Sequence, residues 1–218
     1  MSLNRSELYK GYFFCFILVV MIFLINNLSS IFIDGRIALI LAISWILFSV
    51  FIYFILRKNQ KGLRVYSVLN AIISGIAMSS YYTLEDINLF NPMIILAIFG
   101  LVMIIDYMMM NKIKTIKFFI KIKIILLILI LIGCIYIWLT YSSSYGSGLT
   151  FMTIILLSIN ISLLLIQNKE VNYTVIVGLA SLLMFGGILV CILVALTEGE
   201  VLDILTFDSW ENNKKKIN

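Results

Sequence analysis

The stretch that decides the fold is "FFIKIKIILLILILIGCIYIWLT", residues 118–140. From Ile124 to Leu139 it carries no charge, and isoleucine and leucine dominate it. As a helix rising about 1.5 Å per residue, 23 residues cover roughly 34 Å, enough for the ~30 Å hydrocarbon core of a bilayer. A helix that is apolar on every side is buried, either in the core of a large protein or in a membrane. The composition of the whole chain agrees: its 218 residues are 62% hydrophobic and only 12% charged, with mean hydropathy +1.11. A soluble domain is about half apolar and a quarter charged.

Six further runs of this kind flank the first, and together they predict spans over 11–33, 37–56, 65–84, 92–110, 118–140, 149–167 and 173–197. None alternates in the manner of a barrel strand, so the expected fold is an all-α integral membrane bundle of seven transmembrane helices. It occupies residues 1–197 and is followed by a polar tail, 198–218. The first run lacks a small-residue cleavage pattern and reads as a retained span. Pro92 fits the first turn of the fourth helix, where a missing N–H costs nothing. "SSSYGSG", 142–148, reads as a flexible outer turn. In the tail, Val201, Ile204, Leu205 and Trp210 form a short apolar face that lies along the outer headgroups or belongs to a disordered end.

Loop charge predicts the orientation. Arg5, Lys10, Arg57, Lys58, Lys61, Arg64, Lys112, Lys114, Lys117, Lys121, Lys123 and Lys169 fall on one side. Arg36 and the terminal Lys214, Lys215 and Lys216 fall on the other, with the acids Asp34, Glu85, Asp86, Glu198, Glu200, Asp203, Asp208 and Glu211. The positive-inside rule then expects a cytoplasmic N-terminus and an extracytoplasmic C-terminus. The net charge of +5 follows from this topology and implies no nucleic-acid partner. The lipid bilayer is the expected surrounding. Lys114, Lys117 and Lys121 share a helix face and snorkel to the inner headgroups or hold an anionic lipid.

Small residues locate the helix contacts. Ser67, Ala71, Gly75 and Ser79 recur every four residues on the third span; Gly187, Cys191 and Ala195 make a shorter stripe on the seventh. Such stripes let backbones approach closely. They predict that helices three and seven are central, with the fifth facing lipid for much of its length. Asn70, Ser74, Ser158, Asn160, Ser162 and Ser181 read as interhelical hydrogen bonders. The three cysteines sit in apolar runs without CxxC spacing and read as buried packing residues.

The chain has no histidine, which removes Ser–His and Cys–His pairs, HExxH zinc sites and imidazole haem ligands. An intramembrane aspartyl site needs two carboxylates, and the predicted spans hold only Asp106. The expectation is therefore no enzyme, no catalytic or metal-binding set and no cofactor. Asp106 lies about five residues before the cytoplasmic end of its span, roughly 7–8 Å deep. It reads either as an acid that reaches water or a basic loop, or as a carboxylate at the inner mouth of an ion pathway. Heavy use of isoleucine, lysine and asparagine points to an AT-rich bacterial genome and a bacterial cytoplasmic membrane.

Three stretches carry a family resemblance. "YSVLNAIISGIAMSS", 66–80, has a glycine step followed by serine. "IFGLVMIIDYMMMNKI", 98–113, runs from Phe-Gly to Tyr before basic residues, and "RKNQKG", 57–62, is a basic second turn. With the length and span layout, these resemble the Bax inhibitor-1 family, the transmembrane Bax inhibitor motif proteins, over nearly the whole membrane part. The resemblance implies a heptahelical protein acting as a passive calcium or other cation leak, or as an ion-homeostasis factor. The family's conducting bacterial members carry an aspartate pair late in the sixth helix and in the seventh. Here those places read "SLLLIQNKE", 162–170, and "SLLMFGGIL", 181–189, with Met184 where the second aspartate would fall. The overall layout favours the leak as the first reading; the loss of the pair favours the alternative, a divergent, non-conducting regulator bound to another membrane protein, such as a protease or exporter. A further alternative is an immunity or accessory subunit of a peptide exporter.

Overall fold

A computed structural model describes residues 5–86, 92–112, 116–141, 143–166 and 172–197. The described residues form seven helices: α1 (Arg5–Phe32), α2 (Gly35–Leu56), α3 (Gln60–Leu84), α4 (Pro92–Lys112), α5 (Ile116–Thr140), α6 (Ser143–Ile166) and α7 (Tyr173–Leu196). Among the described residues there is no strand. Six helices, all but α4, are long and apolar enough to cross a membrane; α4 contributes a shorter apolar stretch, Ala97–Met109. The tail 198–218, with Val201, Ile204, Leu205 and Trp210, lies outside the described residues.

Local chemistry sets the helix starts. Asp34 Oδ1 accepts the Arg36 N–H at 2.8 Å, Asn59 Oδ1 accepts the Gly62 N–H at 3.1 Å, and Asn172 Oδ1 accepts the Thr174 N–H at 3.0 Å. Each satisfies a backbone donor that the helix leaves open. A further donor of α7 is satisfied from afar: the Tyr173 N–H meets Glu7 Oε2 of α1 at 3.0 Å.

The helices alternate in direction. Glu7 beside Tyr173 and Gly11 beside Ile176 make α1 and α7 parallel. The Arg64 guanidinium lies 5.2 Å over the Tyr173 ring, which brings the start of α3 to the same end. Tyr12 meets Asp106 there, so α4 runs the opposite way. At the other end, Gly35 opens α2 against Ser80 and Leu84 of α3.

α3 packs on α1, α2 and α7, and α7 on α3, α6, α1 and α2. The stripe on α3 is buried throughout: Ser67, Ala71, Gly75 and Ser79 all face other helices. On α7, Gly187 abuts Ile154 of α6, whereas Cys191 and Ala195 are half-buried. α1 and α6 share this core, through Leu18, Ile22, Phe151 and Ile155 among others. α2 lays Ala38, Ala42 and Ser49 toward the bundle and turns Phe48, Phe51 and Ile55 outward. α5 packs on α6 and exposes Ile125, Leu126, Leu129 and Ile132.

The structure corrects one local expectation. Residues 143–148 are not a turn but the opening of α6. The reason is close packing. A Cβ at Gly146 would stand 2.3 Å from the Trp138 Cα, so the glycine lets α6 cross directly on α5. Ser147 is fully buried and its hydroxyl lies 3.4 Å from the Tyr82 hydroxyl. Glycine and serine here are contact residues, the usage membrane helices favour. Behind them Tyr81, Tyr82, Trp138 and Phe151 pack edge to face, and the Trp138 indole N–H donates to the Tyr81 hydroxyl at 2.7 Å.

Candidate functional site: a buried charge pair on the fourth helix

α4 buries one narrow stripe of its described side chains: Phe99, Met103 and Asp106, spaced four and three residues apart. Phe99 stacks on Phe16 of α1, with centroids 6.2 Å apart, and Tyr107 sits 4.9 Å from Tyr9. One turn beyond Met103 the stripe ends in a buried carboxylate, that of Asp106.

Asp106 is not bare. Its Oδ2 accepts the Tyr12 hydroxyl at 2.8 Å and forms an ion pair with Lys123 Nζ of α5. Three helices therefore converge on one oxygen. Both charged side chains are largely buried, with 12% of Lys123 and 7% of Asp106 exposed. A carboxylate buried at this depth needs a counter-charge and a further donor to offset desolvation, and it has both here. The arrangement is neutral as a unit. It ties α1, α4 and α5 together. Among the described residues, no group of three His, Cys, Asp or Glu side chains could hold a metal ion.

The Asp106 partners were only half legible. Sequence reading puts Lys123 among the loop lysines and gives Tyr12 no role. The signal for Lys123 is its phase: Lys117 and Lys121 share a face, while Lys123 points about 200° away from Lys121 on a 100°-per-residue wheel. Lys117 and Lys121 are indeed exposed and Lys123 is not.

Of the six polar residues expected to bond between helices, only Asn70 and Ser181 do so. Asn70 of α3 accepts the Trp45 indole N–H of α2 at 2.7 Å, and its amide lies 3.3 Å from the Ser181 hydroxyl of α7. Ser74, Ser158 and Ser162 donate instead to their own helix, to Asn70, Ile154 and Ser158 carbonyls, and Asn160 donates to the Leu156 carbonyl. That is the ordinary local alternative for hydroxyls in a helix. Asn26 and Asn27 of α1 each bury an amide oxygen that has no hydrogen-bond partner among the described residues.

Leu18, Ile22, Ala71, Ser74, Ser181 and Met184 line a small cleft between α1, α3 and α7 that does not admit a water molecule. Met184, at the place where the Bax inhibitor resemblance would put an aspartate, is thus an apolar wall of the closed core. Of the other such place, residues 162–166 close α6 and residues 167–170 lie outside the described residues. No known family, curated protein or solved structure matches this chain.

Proposed function

We propose that the chain is a seven-span protein of a bacterial cytoplasmic membrane, with its N-terminus inside, that works as a non-conducting regulator by binding another membrane protein. The fourth helix is its seventh span, completed by residues on either side of the Ala97–Met109 stretch. The resemblance to the Bax inhibitor-1 family is retained as a divergent relationship without the conducting aspartates.

One observation carries the reading: the sole carboxylate within the predicted spans already has its counter-charge. Lys123 and Tyr12 occupy Asp106, so a calcium ion approaching it would compete with a covalently tethered ammonium. The dry cleft beside Met184 supports the same view.

The test is calcium flux into dye-loaded liposomes containing the purified protein. The expected result is the rate of protein-free liposomes. Flux well above that rate, and reduced by Asp106→Asn, would establish the leak instead. A photoreactive side chain at the outward-facing Phe51, incorporated in native membranes, is expected to give one discrete protein adduct; lipid adducts alone would count against a bound partner.

A further inference from the structure

We propose that α4 is a displaceable helix and that the Asp106–Lys123 ion pair is the latch that docks it against the bundle. Among the described residues α4 lies chiefly against α1 and α6, and the ion pair reaches across to α5, alongside which α4 does not run. Its outward side, with Leu101, Ile104, Ile105 and Met108, is broadly exposed, and only Phe99, Met103 and Asp106 are buried in the stretch from 97 to 109.

In water, Phe99 and Met103 would hold such a helix in place. In a bilayer they do not, because lipid tails are as apolar as the groove they would leave. What distinguishes docked from undocked α4 is then packing along one narrow stripe plus the polar contacts at its end. The pair is also shallow: Asp106 lies six residues before Lys112, the last of the helix, about 9 Å of helix rise. On release, both charges can extend to the headgroups rather than remain stranded in hydrocarbon. Release is therefore open to this pair in a way closed to one at the bilayer centre. A latch of this kind is independent of whether the protein conducts.

Spin labels on cysteines at Ile104 and Val65, both outward-facing, read the α4–α3 separation in nanodiscs without touching the latch. The native cysteines are replaced beforehand. The intact latch is expected to give one narrow distance distribution. Asp106→Asn and Lys123→Met are each expected to add a second, longer population that the intact latch lacks. The exchange of the two charges, Asp106→Lys with Lys123→Asp, is expected to restore the narrow distribution. A control pair at Leu129 and Val190, on α5 and α7, is expected to stay unchanged throughout. An unaltered Ile104–Val65 distribution in both single variants would overturn the latch. So would equal broadening of the control pair, which would make the ion pair a general support of the fold.

Discussion

Gly75 of α3 rests on the backbone of α1: a Cβ there would stand 2.7 Å from the carbonyl oxygen of Ile22 and 2.8 Å from the Cβ of Ile25. The obstructing carbonyl belongs to a helix in the middle of the core and cannot swing aside as a side-chain tip can. Gly75→Ala is expected to lower the thermal unfolding midpoint in detergent, and Gly75→Leu to lower it much further or prevent folding. Overpacking of a tight interior typically costs about 1–3 kcal/mol. Ile128→Leu, on the outward side of α5, is expected to leave the midpoint where it is. Equal midpoints for Gly75→Leu and Ile128→Leu would show that the α1–α3 crossing is not close.

Gly146 and Gly133 should respond oppositely to the same change. The Cβ of Gly146→Ala would run into the Trp138 backbone at 2.3 Å, whereas Gly133 has nothing within 4 Å of its Cβ position. Gly146→Ala is expected to destabilise. Gly133→Ala is expected to be neutral or to stabilise by up to roughly 1 kcal/mol, through the higher helix propensity of alanine. Thermal unfolding of the two variants side by side decides it, and a destabilised Gly133→Ala would contradict the open space described for α5.

Asn70 links α2 to α7 through Trp45 and Ser181. Asn70→Leu removes the acceptor of the Trp45 indole. The expected cost is about 0.6 kcal/mol and at most ~1.7 kcal/mol, the average and upper values for interhelical hydrogen bonds in a membrane. The emission of Trp45, read in a variant with the other two tryptophans replaced by Phe, is expected to shift to shorter wavelength as the indole loses its partner. An unmoved spectrum would mean that Trp45 does not hold this bond in the bilayer.

Orientation is testable with thiol chemistry. Asn59 and Tyr141 are both exposed and lie at opposite ends of the bundle. With Cys15, Cys134 and Cys191 replaced by Ala, Tyr141→Cys is expected to react with an impermeant maleimide added to intact cells, and Asn59→Cys only after the membrane is opened. The reverse pattern would invert the topology.

These contacts show which parts of the fold a sequence reveals. Apolar run length located all seven helices to within a few residues, except that α1, α3 and α6 begin five or six residues before their apolar runs. At α6 the cause is specific: Gly146 and Ser147 look like turn residues by composition, and only the facing Trp138 backbone explains why they are helical. The four-residue rhythm through Gly75 pointed to a close crossing because a smooth helix face needs no partner to be recognised. Its partner, α1, was invisible, since Leu18 and Ile22 look the same whether they meet lipid or protein. Asp106 stood out because acids are rare in such runs. Its phenol and ammonium partners lie 94 and 17 residues away, and no local pattern records which tyrosine or lysine turns inward.

The hydrogen bond between Glu7 and the Tyr173 backbone joins residues 166 positions apart. At about 5–20 residues per second, a ribosome needs roughly 10–30 s to travel between them. For most of that interval α1 is complete and its last neighbour, α7, does not yet exist. Leu18 and Ile22, which line the cleft with Ser181 and Met184 of α7, must spend it against lipid, against the insertion machinery or against whichever of α2–α6 has arrived. The contact that closes the bundle thus comes late in synthesis, and a nascent chain stalled before α7 would present a seam along α1 that the finished protein never shows.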